Sequence, residues 1–350
     1  MADLETRKPL SCFKAYDIRA KLGADLNEDI AYRIGRSVAE TLQAAQVVIG
    51  FDARETSPLL AQAVSRGVRA AGANVLDIGL AGTEEMYWAV TSQMACAGIE
   101  VTASHNPIDY NGMKIVKRGS EPLSEEEFHS IQELAEDGRF SANLREGRVL
   151  SRAREARRAY VEKLMRFITP KALKPLKIVV NAGNGAAGPS FDALEEALAA
   201  SGASADFICV HHEPDAAFPN GIPNPLLPEN HFHTADVVRR EGADFGVAFD
   251  GDFDRCFLFD GEGDFVPGEY VIGLLAEAYL AKEPGAKIVH DPRVMWNTIE
   301  SVTRAGGEPV ISKTGHAFIK QRMREVNAIY GGEMSAHHYF RDFAYCDSGM

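Results

Sequence analysis

Three short stretches carry residue types that could do chemistry together. In Val101-Thr-Ala-Ser-His-Asn-Pro107, Ser104 and His105 stand side by side, ten residues before Lys114. A hydroxyl next to an imidazole at a strand-to-loop boundary is a candidate nucleophile or phosphoryl carrier. Ser, Asn and Pro are also turn formers for backbone reasons alone, so read by itself this stretch fits a plain turn too. In Asp250-Gly-Asp-Phe-Asp-Arg255 the carboxylates of Asp250, Asp252 and Asp254 alternate. Like charges at that spacing would repel in a strand; converging in a loop they suit a hard cation such as Mg²⁺. An EF-hand is excluded, because Arg255 and Gly261 stand where that loop needs Gly and Glu. The third stretch, Gly331-Gly-Glu-Met-Ser-Ala-His-His-Tyr339, presents Glu333, Ser335 and His337. Their donors and acceptors suit sugar hydroxyls, and equally fit a polar turn.

The elements that must position these residues recur along the chain. Gln46–Phe51 reads as a strand, residues 52–57 as a polar loop, Pro58–Ala71 as a helix stopped by Gly72, and residues 74–78 as the next strand. The pattern returns at 176–180, 181–188, 189–201 and 206–210, and again at 286–290, 291–296, a helix to Ala305, and 309–312. Three such units predict three α/β domains built alike, with mixed, largely parallel sheets around a shared cleft. Ligands on such sheets sit at the carboxyl ends of strands, so each unit's first loop is a candidate cleft wall. Strands are also expected at 98–101, 244–249 and 327–330, immediately before the three chemical stretches. A charged, helix-prone run from Ser151 and the polar turn at 260–264 divide the chain into 1–150, 151–262 and 263–350.

Composition sets limits. The chain has 350 residues, 45% of them hydrophobic, enough for several cores. A net charge of −13 without a basic stripe argues against nucleic acid. An anionic substrate would need a local pocket of cations. The five widely spaced cysteines argue against structural zinc and a disulfide framework, and fit a reducing compartment. Residues 1–7 show no apolar leader, and no later run reaches the ~18 apolar residues of a membrane span. A cytoplasmic protein with no membrane partner is expected; the residues say nothing of oligomeric state. Gly183-x-Gly185-x-x-Gly188 matches a dinucleotide fingerprint, but the sibling units lack the glycines, and a glycine-rich turn is the simpler reading.

Taken together, Thr102-Ala-Ser-His-Asn-Pro107, Asp250-Gly-Asp-Phe-Asp-Arg255 and Gly332-Glu-Met-Ser335 resemble the motifs of α-D-phosphohexomutases, most closely the bacterial phosphomannomutase/phosphoglucomutase group. Lys14-Ala-Tyr-Asp-Ile-Arg19 and Lys313-Thr-Gly-His316 support the resemblance, and the motifs keep the family's order. The resemblance implies a phosphoserine enzyme that interconverts hexose 1- and 6-phosphates, with one Mg²⁺ and a hexose 1,6-bisphosphate primer. Ser104 would carry the phosphoryl group, and a phosphate oxygen with Asp250, Asp252 and Asp254 would hold the metal. His105, Lys114, Arg19 and His337 are then candidates to move protons or stabilise charge. Glu333 and Ser335 would bind sugar hydroxyls, while Tyr16, Arg255, Arg293, Lys313 and His316 would line the cleft.

Met334 resembles the mannose/glucose branch, and Phe253 and Ala336 replace glycines common in relatives, which leaves sugar preference open. The family's fourth, phosphate-gripping domain has no counterpart before Met350, so weak turnover and an incomplete third domain are expected. A non-catalytic phosphosugar-binding fragment, a phosphoglucosamine mutase and a serine phosphatase are the competing readings.

Overall fold

The computed structural model describes residues 9–142 and 145–350. The leader-free reading of residues 1–7 lies outside them. Three sheets follow one another along the chain. The first has the order Ile18–Lys21, Tyr110–Lys117, Ala97–Val101, Gln46–Phe51, Asn74–Leu80, Val149–Ser151. The second has the order Phe265–Val266, Cys256–Phe259, Phe245–Phe249, Lys177–Asn181, Asp206–Val210. The third has the order Glu308–Ile311, Lys287–His290, Tyr330–Gly332, His338–Phe340, Cys346–Asp347.

All three repeated units form as expected. Gln46–Phe51 pairs in parallel with Asn74–Leu80, Lys177–Asn181 with Asp206–Val210, and Lys287–His290 with Glu308–Ile311. The connecting helices are Ser57–Ala70, Ala187–Ala200 and Met295–Arg304. Pro58 occupies the first turn of Ser57–Ala70, where its missing N–H leaves no bond unmade. Each helix is stopped by a glycine at positive φ, namely Gly72, Gly202 and Gly306, a conformation that costs other residues more.

The equivalence runs further. On the other side of each unit's first strand lies a second parallel neighbour: Ala97–Val101, Phe245–Phe249 and Tyr330–Gly332. The serine, aspartate and Gly-Glu-Met-Ser stretches leave the carboxyl ends of these three strands. The chemical loops are therefore topological counterparts, one per sheet. One expected strand shifts: 327–330 begins only at Tyr330, because Asn327, at φ 53°, closes the helix His316–Val326. Asn is among the few residues that take this left-handed cap readily.

One apolar core joins the sheets. Val48, Leu76 and Tyr87 pack with Val180, Phe249 and Phe253 and with Phe343 and Cys346 of the third sheet's end. Trp88 stacks on Phe343 at 5.6 Å between centroids. Burial of this kind, worth roughly 25 cal/mol per Å² of apolar surface, fixes the first two chemical loops relative to each other.

Candidate active site

Ser104 sits in the left-handed region at φ 49° and is 1% exposed. A non-glycine residue pays for that conformation only where its surroundings hold it. The holding groups come from the first loop of the same unit. Arg54, 2% exposed, donates to the carbonyls of Ser104 (2.8 Å), Asn106 (2.5 Å), Pro107 (2.9 Å) and Tyr110 (3.1 Å). Asp52 accepts from Ser57 Oγ at 2.6 Å and from Thr102 Oγ1 at 2.8 Å, and Thr102 Oγ1 in turn accepts the Ser104 N–H at 2.8 Å. The loop thus presents its serine by backbone restraint, and Ser104 Oγ donates to Asp250 Oδ2 at 2.5 Å. His105 Nδ1 lies 3.0 Å from the same Oγ. Burial, then Arg255 and Arg19, pushes the His105 imidazole down to about 3, so it is neutral.

The aspartate loop is held from three sides. Thr83, at the start of helix Thr83–Ser92, donates its N–H to Asp252 O and its Oγ1 to Asp252 Oδ2 at 2.6 Å. The Ala186 N–H donates to Gly251 O at 3.1 Å. Gly251 lies where a Cβ would stand 2.8 Å from Ser104 O, so only glycine lets the two loops meet. Gly185 also closes on Gly251, which accounts for the glycine-rich 183–188 turn as packing, not a dinucleotide site.

Asp250, Asp252 and Asp254 are all buried, and their side-chain oxygens lie within 4.8 Å of one another. Lys114 Nζ donates to Asp252 Oδ2 at 2.7 Å and to Asp254 Oδ2. The Oδ1 atoms of all three aspartates have no hydrogen-bond partner among the described residues. Three buried, converging carboxylates with an oxygen each outside the hydrogen-bond network are the donor set a hard divalent cation takes, so the residues fit Mg²⁺. Burial, then Asp252 and Asp254, raises Asp250 to about 7 against Arg255 and Lys114. For Lys114, burial favours the neutral form, but Asp252, Asp254 and Asp250 outweigh it and keep the ammonium charged.

The third loop closes on this centre. His337 Nε2 is 3.4 Å from Asp254 Oδ1 and 3.2 Å from Arg255 Nε; its Nδ1 lies 3.3 Å from Glu333 Oε2 and 3.1 Å from Ser335 Oγ. Burial and Arg255 lower His337, yet Asp254 and Glu333 prevail and raise it to about 9. Burial opposes ionisation of Glu333, but His337, with Tyr339 OH and the Gly315 N–H, brings it down to about 2. Asp291, in the third unit's first loop, accepts the Met334 N–H at 3.3 Å. In all three sheets, then, the first loop also braces the neighbouring chemical loop.

The remaining expected residues spread outward. Arg255 Nε is 3.6 Å from Asp250 Oδ2. Both ring nitrogens of His316 lack hydrogen-bond partners among the described residues, its centroid is 6.4 Å from that of His337, and burial holds it neutral. Tyr16 packs edge-on against His316 at 4.9 Å, joining the first sheet's arm to the third domain. Arg19 pairs with Asp17 at 2.9 Å. Arg293 is held by Asp291 and lies 3.9 Å from Glu333, with 39% of its side chain exposed. Lys313 is exposed, its Nζ 5.6 Å from the Phe318 ring centre.

Sequence patterns of the phosphoglucomutase/phosphomannomutase family match residues 11–142 (alpha/beta/alpha domain I), 158–263 (domain II) and 267–350 (domain III). The chain belongs to the phosphoglucomutase/phosphomannomutase family. It is 59% identical over 343 residues to a phosphomannomutase of Escherichia coli, an alignment covering 97% of this chain and 75% of that relative. It is 54% identical over 343 residues to a protein of Xanthomonas campestris pv. campestris described as phosphohexose mutases, again 97% of this chain and 75% of that relative. A solved family structure from Burkholderia thailandensis superposes with a TM-score of 0.89 at 34% identity, covering 97% of this chain and 74% of that one. Family members are phosphotransferase isomerases, and the buried serine–aspartate centre is where this mutase chain concentrates its ionisable groups.

Proposed function

We propose that the protein interconverts hexose 1-phosphates and hexose 6-phosphates through a phosphoserine at Ser104 and a hexose 1,6-bisphosphate. The observation that carries this reading is Ser104 Oγ, 2.5 Å from Asp250, beside three buried aspartates whose Oδ1 atoms lack a hydrogen-bond partner among the described residues. Asp250, Asp252 and Asp254 would hold Mg²⁺, which when bound supplies positive charge to the transferring phosphoryl group. In the forward half, the bond from the phosphoserine phosphorus to Ser104 Oγ breaks as a sugar hydroxyl oxygen bonds to phosphorus. The sugar hydroxyl gives up its proton as it attacks, and Ser104 Oγ, released as the leaving group, takes one up and donates it to Asp250 Oδ2 as a hydrogen bond. The bisphosphate turns over and the other phosphoryl group returns to Ser104. Phosphoryl transfer asks mainly for positioning and charge neutralisation, which Arg54, Lys114 and Arg255 supply.

His337, cationic at neutral pH by its raised pKa, suits proton donation or charge stabilisation, while neutral His105, 3.0 Å from Ser104 Oγ, could act only as a hydrogen-bond partner or proton acceptor. Glu333 and Ser335 offer acceptor and donor to sugar hydroxyls, and Arg293, Lys313 and His316 offer the cleft wall, with Tyr16 packed behind His316. The serine loop would belong to a domain 1–150, the metal loop to 151–262 and the sugar loop to 263–350. Similarity to phosphomannomutases and Met334 favour mannose or glucose phosphates over glucosamine phosphate. The five free thiols suit a reducing compartment such as the cytoplasm, and among the described residues no helix is long and apolar enough to cross a membrane.

The test supplies mannose 1-phosphate, Mg²⁺ and catalytic glucose 1,6-bisphosphate. Appearance of the 6-phosphate, dependent on the bisphosphate, is expected. Stoichiometric release of inorganic phosphate without isomerisation would favour the phosphatase reading instead.

A further inference from the structure

Behind the sugar loop lies a second set of buried charges that the chemistry above does not use. Asp347, in the last strand of the third sheet, is 0% exposed. Its Oδ1 is 3.1 Å from Lys320 Nζ, and its Oδ2 is 4.0 Å from His337 Nε2. Lys320, itself 1% exposed on helix His316–Val326, donates to Tyr87 OH at 2.9 Å and sits 4.2 Å from that ring's centre. Tyr87 belongs to helix Thr83–Ser92, the helix whose first residue also grips Asp252.

The next three residues continue the same contact. Ser348 Oγ donates to Glu84 Oε2, and the Gly349 and Met350 amides donate to Glu84 Oε1 at 3.1 Å. Gly349 lies against the metal loop, where a Cβ would stand 2.5 Å from Phe253 O. The helix Thr83–Ser92 is therefore a bracket on which the metal loop and the end of the third sheet both rest.

A buried Lys–carboxylate pair is a poor source of stability, because desolvation of two charges offsets most of their attraction. What such a pair supplies is direction. Among the described residues Lys320 is the nearest cation to the Asp347 carboxylate, which otherwise faces the His337 nitrogen that also faces Asp254. Asp254, His337 and Asp347 also lie close enough to share an ion. Lys320 and Arg255 already stand against that group, however, and balance its charge without one.

We infer that Lys320 and Asp347 are positioning residues for phosphoryl transfer: they hold His337 against the metal loop, and Tyr87 ties that hold to the first domain. The inference rests on the phosphohexomutase reading only for the step that His337 serves. The experiment makes Asp347→Asn, Lys320→Met and Lys320→Arg in the 350-residue chain, and Asp347→Asn also in a His337→Ala background. Two quantities are measured: the single-turnover rate of phosphoryl exchange between Ser104 and glucose 1,6-bisphosphate with Mg²⁺, and amide hydrogen exchange across residues 332–338.

Asp347→Asn and Lys320→Met are expected to slow transfer at saturating bisphosphate by roughly tenfold to a hundredfold, with half-saturation little changed. Exchange across 332–338 should rise, Lys320→Arg should recover part of the rate, and Asp347→Asn should add almost nothing once His337 is Ala. An equal loss in both backgrounds, or unaltered rate and exchange in Asp347→Asn, overturns the inference. If the unsubstituted chain transfers nothing, the phosphohexomutase reading fails by itself. The exchange measurement then still decides the positioning role, and unaltered protection of 332–338 rejects it.

Discussion

The serine–aspartate centre and the cationic rim of the third sheet are built on opposite terms. At the centre Arg54, Lys114 and Asp252 are buried and each is gripped by several partners: Arg54 by four carbonyls, Lys114 by two aspartates, Asp252 by Thr83 and Lys114. At the rim Lys313 is exposed and Arg293 is more than a third exposed, with Asp291 its main restraint. On the proposed function, the difference matches two jobs. A phosphoryl group in flight needs fixed charges that do not reorganise. A sugar bisphosphate that must turn over needs groups that can let go.

That contrast can be broken from either side. The largest effect is expected from Arg54→Ala. It strands Asp52 and frees four carbonyls, and breaking a buried pair typically costs about 3–5 kcal/mol. Urea unfolding should show the loss in the midpoint, together with failure to label Ser104. A near-normal midpoint would mean that the loop is held by something other than Arg54. Next is Asp252→Asn, expected to slow phosphoryl transfer roughly 100- to 1,000-fold with little change in unfolding. Mg²⁺ titration should show weakened binding, and unchanged affinity and rate in all three aspartate variants would remove the metal assignment.

The pH dependence is smaller and separates the two histidines. His337 is raised to about 9, so its charge, and the stability it contributes, are complete below its ordinary pKa near 6.5 and lost as pH rises through 9. Transfer should fall over that window in unsubstituted protein and flatten in His337→Ala. His105, lowered to about 3, should contribute no titration between pH 5 and pH 8. The smallest change belongs to the rim. Lys313→Ala should cost no more than ~1 kcal/mol, read as a few-fold rise in KM with kcat kept. A large fall in kcat there would erase the distinction between centre and rim.

What sequence could show follows the same division. The alternating aspartates and the Ser-His-Asn-Pro turn were legible because their chemistry is local: like charges at i, i+2, i+4 have few other uses. The three repeated units were legible because periodicity and glycine stops are local too. Arg54 was missed. In Asp52-Ala-Arg-Glu-Thr-Ser57 it looks like one more charge in a polar loop, and its acceptors lie about fifty residues away. Lys320 was missed for a similar reason, since Lys320-Gln-Arg-Met-Arg-Glu325 reads as a solvated helix face, yet Lys320 is buried on Tyr87. Glu100 gave no usable signal either. It is fully buried in the serine strand, neither oxygen has a hydrogen-bond partner among the described residues, and burial raises it well above the ordinary carboxylate range. Its presence there has no physical account in the contacts around it.

The central claim is that Ser104 receives and returns the phosphoryl group. The most direct measurement incubates the chain with glucose 1,6-bisphosphate and Mg²⁺, then locates any added phosphate by peptide mass mapping, with Ser104→Ala alongside. The account predicts one phosphoryl group on the peptide containing Ser104, absent from Ser104→Ala and discharged when hexose monophosphate is added. Label on another residue, or label that persists in Ser104→Ala, would contradict it.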